Sequence, residues 1–374
     1  MPAPQPDLPE PAHPGVDSML ARKFGKEVAN YFSGSPLNRV SFLRPDHAFL
    51  SQAIRHPSTT IVLFNKLEPL VSSPTALATA TFADVSPIVG ADPFLKSEED
   101  TIKEYNSSVY VPQIVFLGLD EGKEGLVYKE HYKGVPWFAV DITPKGGVVE
   151  ECEKLVERLK GEGKEFSKGR MHLSLPAQEA AIYAEARHLL DWNARNPYCA
   201  ACGYPTLSTN AGFKRTCPPK DIAPSMASAC YLGAKKRWPP YWYSTLAGFL
   251  EPAESVEEAV RREVWEESGI HLGRVVIHST QPWPYPANLM IGAIGQAIPG
   301  GEEIHLGHDA ELEDAKWFRA EEVREALKVG TSGLGEDAGP EYKEGGLRIP
   351  PKTAIANQLM TAVVNGFASG APMI

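Results

Sequence analysis

Three glutamates near the middle of the C-terminal half have the spacing of a divalent-cation site. Glu263, Glu266 and Glu267 stand at positions i, i+3 and i+4, so a helix would place their side chains together on one side. Carboxylates this close repel one another unless they are solvated or share a cation. A glutamate-rich helix is usually just a solvated face, but oxygen ligands of this kind also suit Mg²⁺ or Mn²⁺.

The sequence also defines the helix that would present these glutamates. Ser255 and Glu258 have the spacing of a capping box, which predicts that a helix begins there. Gly269 is expected to end it, as the residue that follows the last helical turn. Val256, Ala259, Val260 and Val264 provide an apolar face on which the helix can pack.

A group of cysteines has the spacing of a zinc site. Cys199 and Cys202 form a C-x2-C-G turn, and Cys217 follows after fourteen intervening residues. A second C-x2-C pair would need a cysteine at position 220, where the chain has Lys220, so Cys230 is the remaining candidate for a fourth ligand. The alternatives are unrelated buried thiols or a redox C-x-x-C pair. We predict a structural Zn²⁺.

A third pattern follows the glutamate helix and alternates prolines with aromatic residues. Residues 280–288 read TQPWPYPAN. Because proline donates no ladder hydrogen bond, this segment is not an ordinary central strand. It is either a proline-rich loop that packs on its own core, or a stiff edge that holds Trp283 and Tyr285 for stacking on a base or a nicotinamide ring.

Together these patterns resemble a known enzyme family. The chain matches each fixed position of the Nudix box, G-x5-E-x7-R-E-U-x-E-E-x-G-U, at Gly248, Glu254, Arg262, Glu263, Val264, Glu266, Glu267, Gly269 and Ile270. It therefore resembles the Nudix hydrolases, which cleave a nucleoside diphosphate linked to another group. The second array resembles the SQPWPFPxS motif of the NADH pyrophosphatases, with Thr280, Tyr285 and Asn288 as departures.

The resemblance implies roles for individual residues. Glu263, Glu267, Glu311 and the main-chain carbonyl of Ala247 would bind Mg²⁺ or Mn²⁺, and Glu266 would be a further ligand or the base that orients the attacking water. Arg262 is expected to pair with helix carboxylates. Substrate would be bound by residues of the array and of a later helix, namely Gln281, Pro282, Trp283, Pro284, Tyr285, Pro286, Ala287, Asn288 and Ala356.

The expected activity is hydrolysis of the diphosphate of NADH or NAD⁺ to AMP and NMNH or NMN, with removal of NAD caps from RNA as an extension. The alternatives are a broader Nudix hydrolase of ADP-ribose or dinucleoside polyphosphates, or a non-catalytic nucleotide-binding protein. The resemblance also implies a homodimer. A net charge of −10 argues against a protein that coats nucleic acid.

The rest of the chain predicts a location for the protein and the helices and strands that must position these residues. The chain has 374 residues, and no apolar run reaches the length of a membrane span. An intracellular, most simply cytoplasmic, location is expected, since the C-terminus lacks a peroxisomal Ser-Lys-Leu signal. Strands are predicted at Thr60–Asn65, 109–117 and 137–140, and helices at 146–164 and 177–193.

The predicted fold class is α/β, in four segments. A disordered proline-rich tail (1–28) precedes an N-terminal α/β domain (29–195), a zinc ribbon (196–232) and a Nudix α/β/α sandwich (233–367). Only four residues separate Cys230 from the basic Lys235-Lys236-Arg237 stretch. Compared with the family, this spacing predicts that the sandwich lacks one strand, and that Cys230 itself could belong to the surviving strand.

Overall fold

The structure is a computed structural model that describes residues 8–168, 174–200, 202–219, 221–222, 241–283, 288–309, 311–333, 336 and 339–367. The chain forms two compact units. The first consists mainly of residues 30–232, and the second combines residues 10–29 with residues 233–374. Among the described helices, none combines the length and the hydropathy that a membrane span requires.

The described elements confirm a mixed α/β class. The helices are α1 (Met19–Phe24), α2 (His47–Arg55), α3 (Phe82–Val89), α4 (Glu98–Lys103), α5 (Val149–Gly161), α6 (Ala177–Arg195), α7 (Val256–Ser268), α8 (Ala320–Val329) and α9 (Ile355–Val364). The strands are β1 (Thr60–Asn65), β2 (Glu68–Ser73), β3 (Ala76–Leu77), β4 (Thr79–Ala80), β5 (Ile114–Asp120), β6 (Leu126–Tyr128), β7 (Tyr132–Asp141), β8 (Glu165–Phe166), β9 (Leu207–Thr209), β10 (Lys214–Thr216), β11 (Leu272–Trp283) and β12 (Asn288–Ala297).

The first unit is built on one mixed sheet with the strand order β3-β2-β1-β7-β5. Strands β1 and β7 run parallel, with Ile61 opposite Phe138, whereas β5 pairs with β7 in the antiparallel sense. The run Ile61–Phe64 is buried throughout, as expected for a strand covered on both faces. Side chains of α2 and α5 fill the core on one face, and side chains of α6 fill it on the other.

The predicted elements of this unit are confirmed, with shifted boundaries. The strand predicted at 137–140 extends over Tyr132–Asp141. The strand predicted at 109–117 begins only at Ile114. Pro112 explains the shift, because a residue without an N–H group cannot take part fully in the ladder. The predicted helices 146–164 and 177–193 correspond to α5 and α6.

The second unit contains the hairpin β11–β12, in which Leu272 lies opposite Ala297 and Trp283 opposite Asn288. Helix α9 packs on this hairpin through Ile355 and Leu359, and the second core cluster joins α7 to β11 through Val264 and Val275. Residues 223–240, where the missing strand is predicted, lie outside the described residues. The missing strand therefore stays a prediction.

The N-terminal segment differs from the prediction of a disordered tail over residues 1–28. Ser18 caps α1 by accepting a hydrogen bond from the Ala21 N–H group, and Leu20 on this helix is buried. The proline-rich composition of residues 1–15 concealed this short amphipathic stretch, which packs in the second unit.

Candidate active site and cysteine cluster

Helix α7 has the start and end that its sequence predicts. The Ser255 hydroxyl accepts from the Glu258 N–H group at 3.3 Å, and the Glu258 carboxylate accepts from the Ser255 N–H group at 2.8 Å. Gly269 adopts a left-handed conformation with φ of 73° and donates to the Trp265 carbonyl. These caps fix which residues lie on the face that carries the carboxylates.

Arg262 is the central cation of this face. Its guanidinium binds both carboxylate oxygens of Glu254 at 2.6 and 2.9 Å, and it also reaches Glu263 at 2.8 Å and Glu266 at 3.1 Å. Burial alone would lower the pKa of Arg262, but the hydrogen bond and the charge of Glu254 raise it far above its usual value. The prediction that Arg262 pairs with the helix carboxylates is confirmed.

Glu267 lies beyond the reach of this arginine. It is 6% exposed, and its Oε2 atom is buried without a hydrogen-bond partner among the described residues. Burial, followed by the charges of Glu263, Glu311 and Asp309, raises the pKa of Glu267 to about 8. Burial also raises the pKa of Glu263, although Arg262 opposes this shift. A buried carboxylate surrounded by other carboxylates is stable only if it is protonated or bound to a cation.

A loop after β12 carries two further carboxylates that act electrostatically on Glu267. The Asp309 N–H group donates to the Glu266 carbonyl at 3.1 Å, and the His305 N–H group donates to the Ser268 carbonyl at 2.8 Å. These bonds satisfy carbonyls at the C-terminal end of α7. The loop thereby brings Glu311, which the sequence analysis identified, and Asp309, which it missed, into the electrostatic environment of Glu267. Asp309 carries no motif signal other than its position two residues before Glu311.

Gly248 explains why the family pattern requires glycine at the first position of the box. A Cβ atom on Gly248 would overlap the carboxylate of Glu263. The loop that contains Ala247 and Gly248 is exposed. The main-chain carbonyl of Ala247, the residue before Gly248, stays a predicted metal ligand.

The oxygen donors of these carboxylates suit a hard divalent cation. Glu263, Glu267 and Glu311 supply oxygen atoms from two segments of the chain, and the unpartnered Oε2 atom of Glu267 is the position where a positive charge would stabilise most. Arg262 pairs with the neighbouring glutamates, whereas Glu267 forms no ion pair within the part of the chain that the structure describes.

The proline–aromatic array lies partly within the described residues. Gln281, Pro282 and Trp283 end β11, and Asn288 begins β12 as an exposed residue. Pro284, Tyr285, Pro286 and Ala287 lie outside the described residues.

Gln281 has a role that the sequence did not indicate. Its amide donates to the Thr353 carbonyl at 2.7 Å and accepts from the Ile355 N–H group at 2.8 Å. It therefore holds the start of α9, where the neighbouring residue Ala356 is buried. These bonds use one N–H group and one lone pair of the Gln281 amide, so Gln281 positions the start of this helix, and its contact with the substrate stays a prediction.

The cysteine cluster lies in the first unit, beside the hairpin β9–β10. The sulfur atoms of Cys199, Cys202 and Cys217 lie within 4.8 Å of one another. The turn is shaped by the Gly203 N–H group, which donates to the Cys199 carbonyl at 2.8 Å. Three thiolates so close fit a tetrahedral Zn²⁺ that takes one more ligand. Cys230, the predicted fourth ligand, lies outside the described residues.

Comparisons with known proteins match both units. Residues 58–192 match the NADH pyrophosphatase-like rudimentary NUDIX domain, and residues 228–334 match the NUDIX domain. The chain is 33% identical to the NAD-capped RNA hydrolase NUDT12 of Homo sapiens, over 90% of this chain and 73% of that protein. It is 31% identical to the NAD-capped RNA hydrolase NPY1 of Saccharomyces cerevisiae, over 91% of this chain and 96% of that protein. It is 34% identical to the mitochondrial NAD(P)H pyrophosphatase NUDT13 of Homo sapiens, over 60% of this chain and 66% of that protein.

Proposed function

The chain belongs to the Nudix hydrolase family, and we propose that it hydrolyses the diphosphate of NADH or NAD⁺ to AMP and NMNH or NMN. The observation that carries this proposal is the buried carboxylate of Glu267 among Glu263, Glu311 and Asp309, on the helix of a segment that matches the whole Nudix box. The names of the relatives support the choice of substrate, and they extend it to the NAD cap of RNA, which contains the same diphosphate.

In this proposal Glu263, Glu267, Glu311 and the Ala247 carbonyl hold Mg²⁺ or Mn²⁺. A cation bound there would neutralise the diphosphate and lower the pKa of the attacking water. The protein's own contribution is to keep the ligands in place. Arg262 fixes the rotamers of Glu254, Glu263 and Glu266 by hydrogen bonds to all three.

Glu266 is the proposed further ligand or the base that orients the water. It is 3% exposed, and one of its carboxylate oxygens accepts from Arg262 at 3.1 Å. This bond directs the carboxylate toward the side of α7 that carries the other proposed metal ligands.

Substrate recognition is assigned to the array and to α9. Trp283 and Tyr285 would stack on a ring, and Pro282, Pro284, Pro286, Ala287 and Asn288 would shape the adjoining wall. Gln281 contributes through α9, because its two hydrogen bonds set the position of Ala356. A direct contact between Gln281 and the substrate belongs to the same proposal.

A structural Zn²⁺ on Cys199, Cys202 and Cys217, with Cys230 as the fourth ligand, completes the proposed set of metals. The thiol cluster supports three of these four ligands. A homodimer, which the family resemblance implies, and a cytoplasmic location belong to the same proposal.

The test is an assay of full-length protein with NADH and either Mn²⁺ or Mg²⁺, with the products separated and identified. We expect AMP and NMNH, formed only when the divalent cation is present, and no products from Glu267→Gln. Glu257→Gln is the matched control, because it makes the same substitution in the first turn of α7, outside the carboxylate set.

Parallel assays with ADP-ribose, a dinucleoside polyphosphate and an NAD-capped RNA define the substrate class. Faster turnover of ADP-ribose or of the dinucleoside polyphosphate than of NADH and capped RNA would contradict the proposed specificity. Folded protein that binds Mn²⁺ but hydrolyses none of these substrates would contradict the enzymatic function itself.

A further inference from the structure

The N-terminal segment, residues 10–29, forms part of the second unit. Its helix α1 places Leu20 in a buried position, and the ring of Phe24 stacks on that of Phe367 with centroids 5.1 Å apart. Lys23 Nζ donates to the Phe367 carbonyl at 2.6 Å. The segment is therefore anchored by apolar and polar contacts, and we call residues 10–29 the strap.

The strap ends in a buried carboxylate that two arginines share. Both terminal nitrogens of Arg261 bind Glu27, at 2.8 and 3.1 Å, in a bidentate pair. Arg274 Nη1 lies 3.6 Å from the same carboxylate, and Arg274 Nε donates to the Gly25 carbonyl at 3.2 Å. The side chains of Glu27 and Arg261 are only 8% and 14% exposed. Bidentate pairs of this kind are among the strongest and most directional hydrogen-bonded contacts in proteins.

Arg261 belongs to the helix that carries the catalytic carboxylates. It also donates to the Gly273 carbonyl at 3.2 Å, so a single guanidinium joins α7, β11 and the strap. Successive residues advance by about 100° around a helix, which places Arg261 and Glu263 on nearly opposite sides of α7. Glu27 thus holds the back of the helix whose front presents Glu263 and Glu267.

We infer that Glu27 is a positioning residue of the active site, through which the strap fixes the orientation of α7 against β11. Without this carboxylate, the guanidinium groups of Arg261 and Arg274 would face each other in a largely buried place. Buried like charges that lack their counter-ion force a rearrangement. Any rotation of α7 displaces the carboxylates on its other side, and metal binding and turnover depend on small displacements of such groups.

The kinetic part of this inference rests on the proposed hydrolysis of NADH, so the test includes a measurement that needs no substrate. Full-length Glu27→Gln is compared with wild type for Mn²⁺ affinity, by electron paramagnetic resonance, and for kcat and KM with NADH. Asp17→Asn is the matched control, since it removes an exposed ion pair with Arg22 from the same strap.

We expect Glu27→Gln to weaken Mn²⁺ binding by about tenfold and to lower kcat by about tenfold, with KM for NADH within about twofold. Glu27→Asp, which keeps the charge, should recover part of both losses. Asp17→Asn should match wild type.

A double-mutant cycle locates the effect at the ion pair. Arg261→Met should reproduce the loss, and the double variant Glu27→Gln/Arg261→Met should lose less than the product of the two single effects. If Glu27→Gln lowers only the melting temperature, and Mn²⁺ affinity and kcat of the folded protein stay at wild-type values, the positioning role is wrong. If wild type binds Mn²⁺ but does not hydrolyse NADH, the proposed function fails, and the Mn²⁺ measurement still decides the role of Glu27.

Discussion

Helices α5 and α7 occupy the two units of this chain, and they have the same length of 13 residues and the same first three residues, Val-Glu-Glu. When they are aligned on these residues, Cys152 in α5 corresponds to Ala259 in α7, and both are buried. Beyond this position the two helices differ. The buried residues Leu155, Val156 and Leu159 of α5 stand where α7 has Arg262, Glu263 and Glu266.

The comparison shows how one helical geometry serves two purposes. The face of α5 is stabilised by its own burial, which contributes roughly 1.5–3 kcal/mol for each large apolar side chain. The face of α7 buries carboxylates, which requires counter-charges. Arg262 supplies one counter-charge, and in our proposal a cation from solution supplies the other at Glu267. The match of the first unit to a domain described as rudimentary agrees with this loss of the charged face.

The largest expected effect separates function from stability at Glu267. Glu267→Gln should lower turnover of NADH by roughly 10³-fold, because it removes a charge that holds the cation. The same change should leave the metal-free protein at least as stable as wild type, since it removes a buried unpartnered carboxylate oxygen. Steady-state kinetics and urea unfolding in EDTA measure the two quantities. A marked loss of stability would show that Glu267 is satisfied without a cation.

Removal of the internal cation should have the largest effect on stability. Arg262→Met leaves Glu254, Glu263 and Glu266 without their shared partner and should destabilise the second unit by about 3–5 kcal/mol. Chemical denaturation, with hydrogen exchange of peptides from α7 as the readout, measures this loss of stability. Arg195→Met, at a surface ion pair of α6, is the control and should cost under about 1 kcal/mol.

The matching change in α5 should act on packing alone. Leu159, at the position of Glu266, is 1% exposed, so Leu159→Ala should destabilise the first unit by about 2–5 kcal/mol. Mn²⁺ affinity should stay unchanged, because this face carries no metal ligand. A change in Mn²⁺ affinity would contradict the division of roles between the two helices.

The stability of the unit that contains α7 should depend on pH through Glu267. The pKa of Glu267 is about 8 in the folded metal-free protein, above the usual value of 4.5 for an exposed glutamate. The folded state therefore holds the proton more tightly, and the stability of the metal-free second unit should fall as pH rises from 4.5 to 8. Mg²⁺ should reverse this fall, since binding requires the ionised carboxylate. Melting temperatures across this range, with EDTA or with Mg²⁺, provide the test, and Glu267→Gln should reduce the slope to the smaller part that Glu263 contributes.

The smallest expected effect concerns Cys152, at the first buried position that the two helices share. Burial, followed by the charge of Asp141, raises the pKa of Cys152 to about 11, so its thiol should resist alkylation at pH 8 until the protein unfolds. Cys152→Ala, which makes α5 resemble α7 here, should cost about 1 kcal/mol. Mass spectrometry after iodoacetamide treatment, with and without denaturant, measures the reactivity. Rapid labelling of the folded protein would contradict the assignment of Cys152 to the core.

Predictions from the sequence succeeded where the interactions are local. The caps of α7 and the pairing of Arg262 with Glu263 and Glu266 follow from spacings of four residues or fewer. The buried strand at Thr60–Asn65 was predictable from its continuous apolar run. Strand β5 begins later than its apolar run predicts, because Pro112 lacks the N–H group that the ladder needs.

By itself the sequence determined the helix that carries the carboxylates, the cysteine spacing and the family pattern. Each of these is encoded within a short stretch, where helix geometry fixes the neighbours of every residue. Only the tertiary structure decided that Asp309 approaches Glu267, that Gln281 holds the backbone of α9, and that Glu27 holds Arg261 across 234 residues. No local spacing specifies such contacts, because they arise when separate segments bury their surfaces against one another and each buried polar group must find a partner.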